Sequence, residues 1–247
     1  MLRLNSNFIS RAFSSKLRNC IIYSGFAIFA FMPALAQTPA AQLDAIKAAK
    51  FDDIRGMQFL LNQGLISPNM RDPKGTPLLL LAIEDRSMKV LYLLMDEQQV
   101  DIDAANRNGE NTLMMASLYG LMPEVKYLVE KKAAIFNREG WTPLHYAATT
   151  GQIEVAAYLL EQGAAVNALS ESNTTPLMMA VRSGNINTVS LLLKNGADMQ
   201  IVNHQGFTAI DVADLFERAD ISEGLSSRWL KLYKQKYTHM MVMPRGN

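Results

Sequence analysis

The chain has 247 residues, with Lys+Arg 24 against Asp+Glu 23 and a formal net charge of +1. Hydrophobic residues at 49% and charged residues at 19% are enough to bury a core, and the near-neutral balance excludes a bulk polybasic nucleic-acid binder. One Cys and three His exclude an intrachain disulfide, a Cys-rich zinc site and a multi-histidine metal centre, so no metal or other cofactor is expected.

Residues 1–18 carry Arg3, Arg11, Lys16 and Arg18 and no acid. An apolar run from Ile21 to Met32 follows, then Pro33 and the small-x-small triplet Ala34-Leu35-Ala36. That order predicts a signal peptide over 1–36, cut after Ala36. An uncleaved anchor is the alternative, but the run is short of the roughly 20 residues that span a bilayer. The Ser- and Arg-rich start also suits an organelle transit peptide, against which the apolar run and the Ala-Leu-Ala site argue. A periplasmic or secreted protein is therefore expected, with membrane anchoring by an uncleaved signal as the alternative. Cleavage leaves 20 basic and 23 acidic residues, formally −3, and removes Cys20. A cysteine-free chain suits an oxidising compartment and has no Cys nucleophile. No further stretch approaches the length of a membrane span, and a monomer is expected.

The rest of the chain repeats. Trp141-Thr142-Pro143-Leu144-His145-Tyr146-Ala147-Ala148 aligns at an offset of 33 with Thr174-Thr175-Pro176-Leu177-Met178-Met179-Ala180-Val181, and again with Phe207-Thr208-Ala209-Ile210-Asp211-Val212-Ala213. The same offset relates Leu159-Leu160 to Leu192-Leu193 and Gly163-Ala164 to Gly196-Ala197. Backwards, 31 residues reach Asn111-Thr112-Leu113-Met114-Met115-Ala116, and a further 35 reach Thr76-Pro77-Leu78. Each position has a physical use. Thr142 suits an N-cap, and Pro143 the first helical position, where its missing N–H costs nothing. Ala147 and Ala148 allow close helix approach. Leu144, Leu159 and Leu160 form an apolar face that one unit cannot bury alone. Gly163 and Gly196 suit the left-handed end of a helix.

Thr-Pro-Leu-His-x-Ala-Ala, then Gly, a Leu-Leu helix and Gly-Ala resembles the ankyrin repeat. The resemblance implies an all-α solenoid of stacked helix-turn-helix units with finger loops. Units are expected at about 40–71, 72–106, 107–137, 138–170, 171–203 and 204–224, within a repeat domain over 37–224. The first unit lacks Thr-Pro-Leu and reads as a cap. The second shows Lys74 where Gly is expected, Leu81 in place of a small residue, and no Gly to close its outer helix. Residues 225–247 read as an amphipathic capping helix and tail, with Trp229, Leu232, Tyr233 and Tyr237 on one face by 3, 4 and 8 spacing. An anionic membrane surface is the other use for such a helix.

Little else points to chemistry. His145 occupies the repeat's structural His position. Asp52-Asp53 and Asp101-x-Asp103 fall at a turn and a finger, where acids cap backbone. No phosphate loop or Ser-His-Asp context appears, so no enzymatic activity is expected. Met114-Met115 and Met178-Met179 recur in register and read as core. The tail His239-Met240-Met241-Val242-Met243 has soft ligands for Cu(I), which keeps a copper-handling protein or a hydrolase on a repeat scaffold as the alternative.

The resemblance implies a non-catalytic module that binds a protein partner through finger tips and the concave inner-helix face. By register the finger positions include Arg107, Asn108, Glu110, Arg138, Glu139, Trp141, Glu171, Ser172, Thr174, His204, Gln205 and Phe207. The inner-helix positions include Leu118, Tyr119, Thr149, Thr150, Arg182, Ser183, Leu215 and Phe216. Tyr119, Trp141 and Arg138 are the expected energetic centre, because interface hot spots favour aromatic and Arg side chains.

Overall fold

The structure, a computed structural model, describes residues 38–131 and 138–238. The segment read as a signal peptide and the Met-rich tail from His239 lie outside the described residues. The first pair of helices is α1 (Pro39–Lys50) and α2 (Ile54–Asn62), followed by α3 (Leu78–Glu84) and α4 (Met88–Asp96). Next come α5 (Thr112–Leu118) with α6 (Met122–Lys126), which runs on as a π-helical turn over Tyr127–Lys131. The second half pairs α7 (Pro143–Thr150) with α8 (Ile153–Glu161), α9 (Pro176–Ser183) with α10 (Ile186–Lys194), and α11 (Ala209–Leu215) with α12 (Ala219–Tyr233). Odd-numbered helices are the inner ones and even-numbered helices the outer ones. Among the described residues there are only isolated bridges, Arg71 with Pro77 and Ala105 with Asn111, which close two fingers.

One turn sets the register. Asp52, Arg86, Gly120, Gly151, Gly184 and Glu217 each link an inner to an outer helix, and each has φ between 55° and 79°. At Gly151 the left-handed φ of 71° is joined by a steric need, since an added Cβ would stand 1.9 Å from the Asn185 amide nitrogen. The fingers repeat too. The backbone N–H groups of Asp72, Asn106, Ser170 and Asn203 donate to the carbonyls of Thr76, Glu110, Thr174 and Phe207. Side-chain oxygens of the same four residues accept from nearby amides, as at Asp72 Oδ1 with Thr76 N–H at 2.8 Å.

This register corrects the reading of the second unit. Its offset from the third is 34, not 35, because Arg86 stands where Gly120 stands and Gly75, with φ 89°, stands where Gly109 stands. Pro77 is therefore the N-cap of α3, one step earlier than Pro143 in α7. The finger glycine is present after all, and the small inner-helix residue is Ala82, fully buried, not Leu81. The missing closing glycine does tell: α4 ends on Glu97 in extended backbone, ψ 133°. The first unit also starts with a Thr-Pro pair that the sequence reading passed over. Thr38 caps α1 by accepting from Ala41 N–H at 3.2 Å, with Pro39 in the first helical position.

The core is the stacked apolar faces. Ala45, Ala82, Ala116, Ala147, Ala180 and Ala213 are closed to solvent, as are Leu91, Leu94, Leu128, Leu159 and Leu192 of the outer helices. Burial on both sides of the internal inner helices α3, α5, α7 and α9 is what a one-dimensional stack provides and a lone helix pair cannot. Tyrosines clip neighbouring outer helices together. Tyr92 donates to Glu124 at 2.9 Å, Tyr158 to Glu130 at 2.9 Å, and Tyr127 to Asp96. Burial and the bonded carboxylate push the Tyr92 and Tyr158 hydroxyls up to about 12.

The C-terminal end departs from the expected boundary. Helix α12 is continuous for 15 residues through Gly224, so 225–233 is the distal part of the sixth outer helix, not a separate cap. Its buried stripe is Ile221, Leu225 and Trp229, whereas Leu232 is 55% exposed and does not share it. Lys234, with φ 58°, ends the helix and turns the chain back. Tyr237 then meets Trp229 edge to face, with centroids 5.0 Å apart, and bonds Thr208 at 2.6 Å and Asp211 at 2.5 Å. The aromatic face thus folds inward onto α11. No helix of the described residues is long and apolar enough to cross a membrane.

Candidate functional site

His145 is buried and its contacts are structural. Thr142 N–H donates to its Nδ1 at 3.2 Å, and Nε2 lies 2.9 Å from the carbonyl oxygen of Thr174 in the next finger. A carbonyl only accepts, so Nε2 carries the proton and Nδ1 is the acceptor. Burial lowers its pKa to about 4, against smaller opposing effects of the Thr174 carbonyl and Glu171. The ring is a neutral brace between the fourth and fifth units. In the sixth unit Asp211 takes the same helix position, and Tyr237 meets it there.

The concave face of units four to six holds a groove of about 470 Å³. Finger residues Trp141, Thr174 and Phe207 form one wall, with Ser172, Asn203 and Gln205 beyond them. Met178 and Met179 form part of the floor, and Arg182, Leu215 and Phe216 the inner-helix wall. The Arg182 guanidinium lies 5.0 Å from the Phe216 ring centroid. That stacking holds the cation over an aromatic face while leaving both at the rim. Trp141 meets His145 and Tyr146 edge to face, with centroids 5.3 and 6.4 Å apart. It is half-buried, so it serves the fold as well as the groove.

The expected site residues divide into groups. Trp141, Arg182 and Phe207 come together in the groove, as do Ser172, Thr174, Gln205, Leu215 and Phe216. Tyr119 does not line it. Its ring is clamped by Arg86, 4.3 Å from the centroid, among Glu84, Asp85 and Glu110. Burial, with Glu84 close by, raises its hydroxyl pKa. Glu110 accepts from Asn106 at 2.8 Å and from Tyr146 at 3.1 Å. Arg107, Asn108, Arg138, Glu139 and His204 are exposed finger tips. His204 N–H donates to Ser172 O at 2.9 Å, tying two fingers. Thr149 donates to His145 O at 2.8 Å, and Thr150 to Leu118 O at 2.7 Å, so both hydroxyls and the Leu118 carbonyl serve the stack.

Three contributors escaped the sequence reading. Met178 and Met179 looked like core, and at 2% and 8% exposure they are, yet they also floor the groove. Arg86 was hidden by the one-residue slip that concealed its place in the left-handed turn.

Comparison with known proteins agrees with this architecture. The family model described as Ankyrin repeats (3 copies) matches residues 45–134, 79–170 and 165–228. The chain is 32% identical over 122 residues to Palmitoyltransferase AKR1 of Lachancea kluyveri, covering 47% of this chain and 16% of that protein. It is 36% identical over 104 residues to the mouse Ankyrin repeat and SAM domain-containing protein 6, covering 41% and 12%. Human Transient receptor potential cation channel subfamily A member 1 is 26% identical over 118 residues, covering 47% and 10%. The chain thus spans between 10% and 16% of the length of these relatives. Since the matched ranges run from residue 45 to 228, most of the sequence, the chain belongs to the ankyrin repeat family, and its repeats indicate a protein–protein interaction module.

Proposed function

We propose that this protein is a non-catalytic binding module, exported to the periplasm or out of the cell, that holds a protein partner in the concave groove of its last three units. The observation that carries the binding half is the groove itself. Its walls bring Trp141, Phe207, Phe216 and a stacked Arg182 to one concave rim over a methionine floor. Aromatic and Arg side chains dominate the energetic centres of interfaces, and methionine adapts to a partner's shape. His145, the residue most open to a catalytic reading, is held neutral as a brace. The export half rests on the basic, apolar and Ala-Leu-Ala order of residues 1–36.

Affinity purification from the exported fraction, followed by calorimetry of the recovered partner, tests the binding half. Phe216→Ala is expected to weaken that partner's binding without lowering the melting temperature. N-terminal sequencing of the exported protein tests the other half and is expected to start at Gln37. A full-length form confined to the cytosol contradicts export.

A further inference from the structure

The two residues before each left-handed turn form one line along the concave edge. From the second unit to the sixth they read Glu84-Asp85, Leu118-Tyr119, Thr149-Thr150, Arg182-Ser183 and Leu215-Phe216. The line changes character along its length. Leu215 and Phe216 are exposed beside the groove, at 52% and 37%. Glu84 and Asp85 are exposed at the other end, and Glu110 from the third finger stands near them. Among the described residues no cation lies within ion-pair distance of Glu84 or Asp85. Burial raises the Glu84 carboxyl pKa, Glu110, Asp85 and Asp72 raise it further, and Lys50 opposes them. An incoming cation relieves that repulsion.

We propose that the docked partner segment is an apolar–basic peptide, with aromatic or aliphatic side chains in the groove centred on unit five and a Lys/Arg cluster over Glu84, Asp85 and Glu110. This rests on the interaction-module reading and adds the partner's chemistry. The spacing follows from the stack. Inner helices of neighbouring units lie about 9 Å apart, so three units span ~27 Å, or about eight residues of extended chain. Asp72, Glu84, Asp85 and Glu110 outnumber Lys50 and Arg86 at the near end, whereas Arg182 makes the groove end positive, and that difference fixes which end goes where.

A random library of 16-residue peptides displayed on phage, selected on the purified protein, tests this. Selected peptides are expected to carry both blocks, about eight residues apart. When they are synthesised and titrated, Glu84→Lys with Asp85→Lys is expected to weaken binding at least tenfold, more at low salt than at high salt. Glu84→Gln with Asp85→Asn is expected to give an intermediate loss, and melting curves check that each variant folds. Phe216→Ala is expected to weaken the same peptides at least tenfold. Unchanged affinity on charge reversal, with loss on Phe216→Ala, overturns the basic end and leaves the interaction module standing. No loss from either overturns both. Recovery of binders by a chain ending at Thr238, and none by the full chain, assigns the groove to the chain's own tail and also overturns the proposal.

Discussion

The second-to-third and fifth-to-sixth units use the same device in opposite surroundings. In each, an arginine from the earlier unit covers an aromatic ring at the end of the later inner helix: Arg86 over Tyr119 at 4.3 Å, Arg182 over Phe216 at 5.0 Å. The cations come from different register positions, Arg86 from the left-handed turn and Arg182 from the helix before it. Tyr119 sits among carboxylates, and Phe216 beside an open apolar groove. The frame beneath is nearly identical: a buried alanine, a left-handed turn and a Leu-rich outer helix. Stacking dictates the frame and leaves the concave edge free to vary, which is where the proposed partner contact lies.

That separation is breakable, and the frame gives the largest effects. Ala147→Asp puts a charge where solvent is fully excluded, and Gly151→Val drives a Cβ into Asn185 at a left-handed φ. Each is expected to cost roughly 3–5 kcal/mol, measured by denaturant unfolding. A smaller melting shift than that of an edge variant breaks the division between frame and edge.

The brace between units four and five is next and depends on pH. Burial holds the folded His145 at about 4, below the ordinary 6.5, so the unfolded chain binds the proton first. Its contribution is complete above pH 6.5 and is lost as pH falls toward 4, roughly 3 kcal/mol in all. His145→Gln is expected to flatten the stability profile across that window relative to the native chain. Parallel profiles contradict a buried neutral imidazole.

At the closed end, Tyr237→Phe removes one hydroxyl shared by Thr208 and Asp211. The expected loss is about 1–3 kcal/mol, because Asp211 stays buried with one partner fewer. The smallest effect belongs to a finger tip. His204→Ala removes an exposed ring and leaves the backbone tie to Ser172, so stability should move by less than about 0.5 kcal/mol.

The frame was legible where side-chain chemistry and backbone need coincide, as at Gly163 and Gly196, both left-handed after their outer helices. It was less legible where two readings were chemically tolerable. Proline is favoured at the first helical position, so Thr76-Pro77-Leu78 invited an alignment one residue out, and only the left-handed turns at Gly75 and Arg86 correct it. The expected boundary between 224 and 225 falls inside α12, which runs straight through it. Tyr237 lies past the left-handed Lys234, so helical spacing does not place it. At the edge, aromatic type and finger register pointed to Trp141 and Phe207. They did not show that Tyr119 faces the acidic end, because that depends on the Arg86 turn.

Binding by the purified partner is the most direct test of the edge as the functional surface. The informative variant is Phe216→Ala, since Trp141 also packs against His145 and Tyr146 and its loss mixes folding with binding. A control chain should end at Thr238, because cutting after Gly224 removes the buried Leu225 and Trp229. Calorimetry with melting curves alongside is expected to show Phe216→Ala folded and weakened by about 2 kcal/mol, roughly thirtyfold, with the control chain unaffected. A folded Phe216→Ala that binds at native strength contradicts the account.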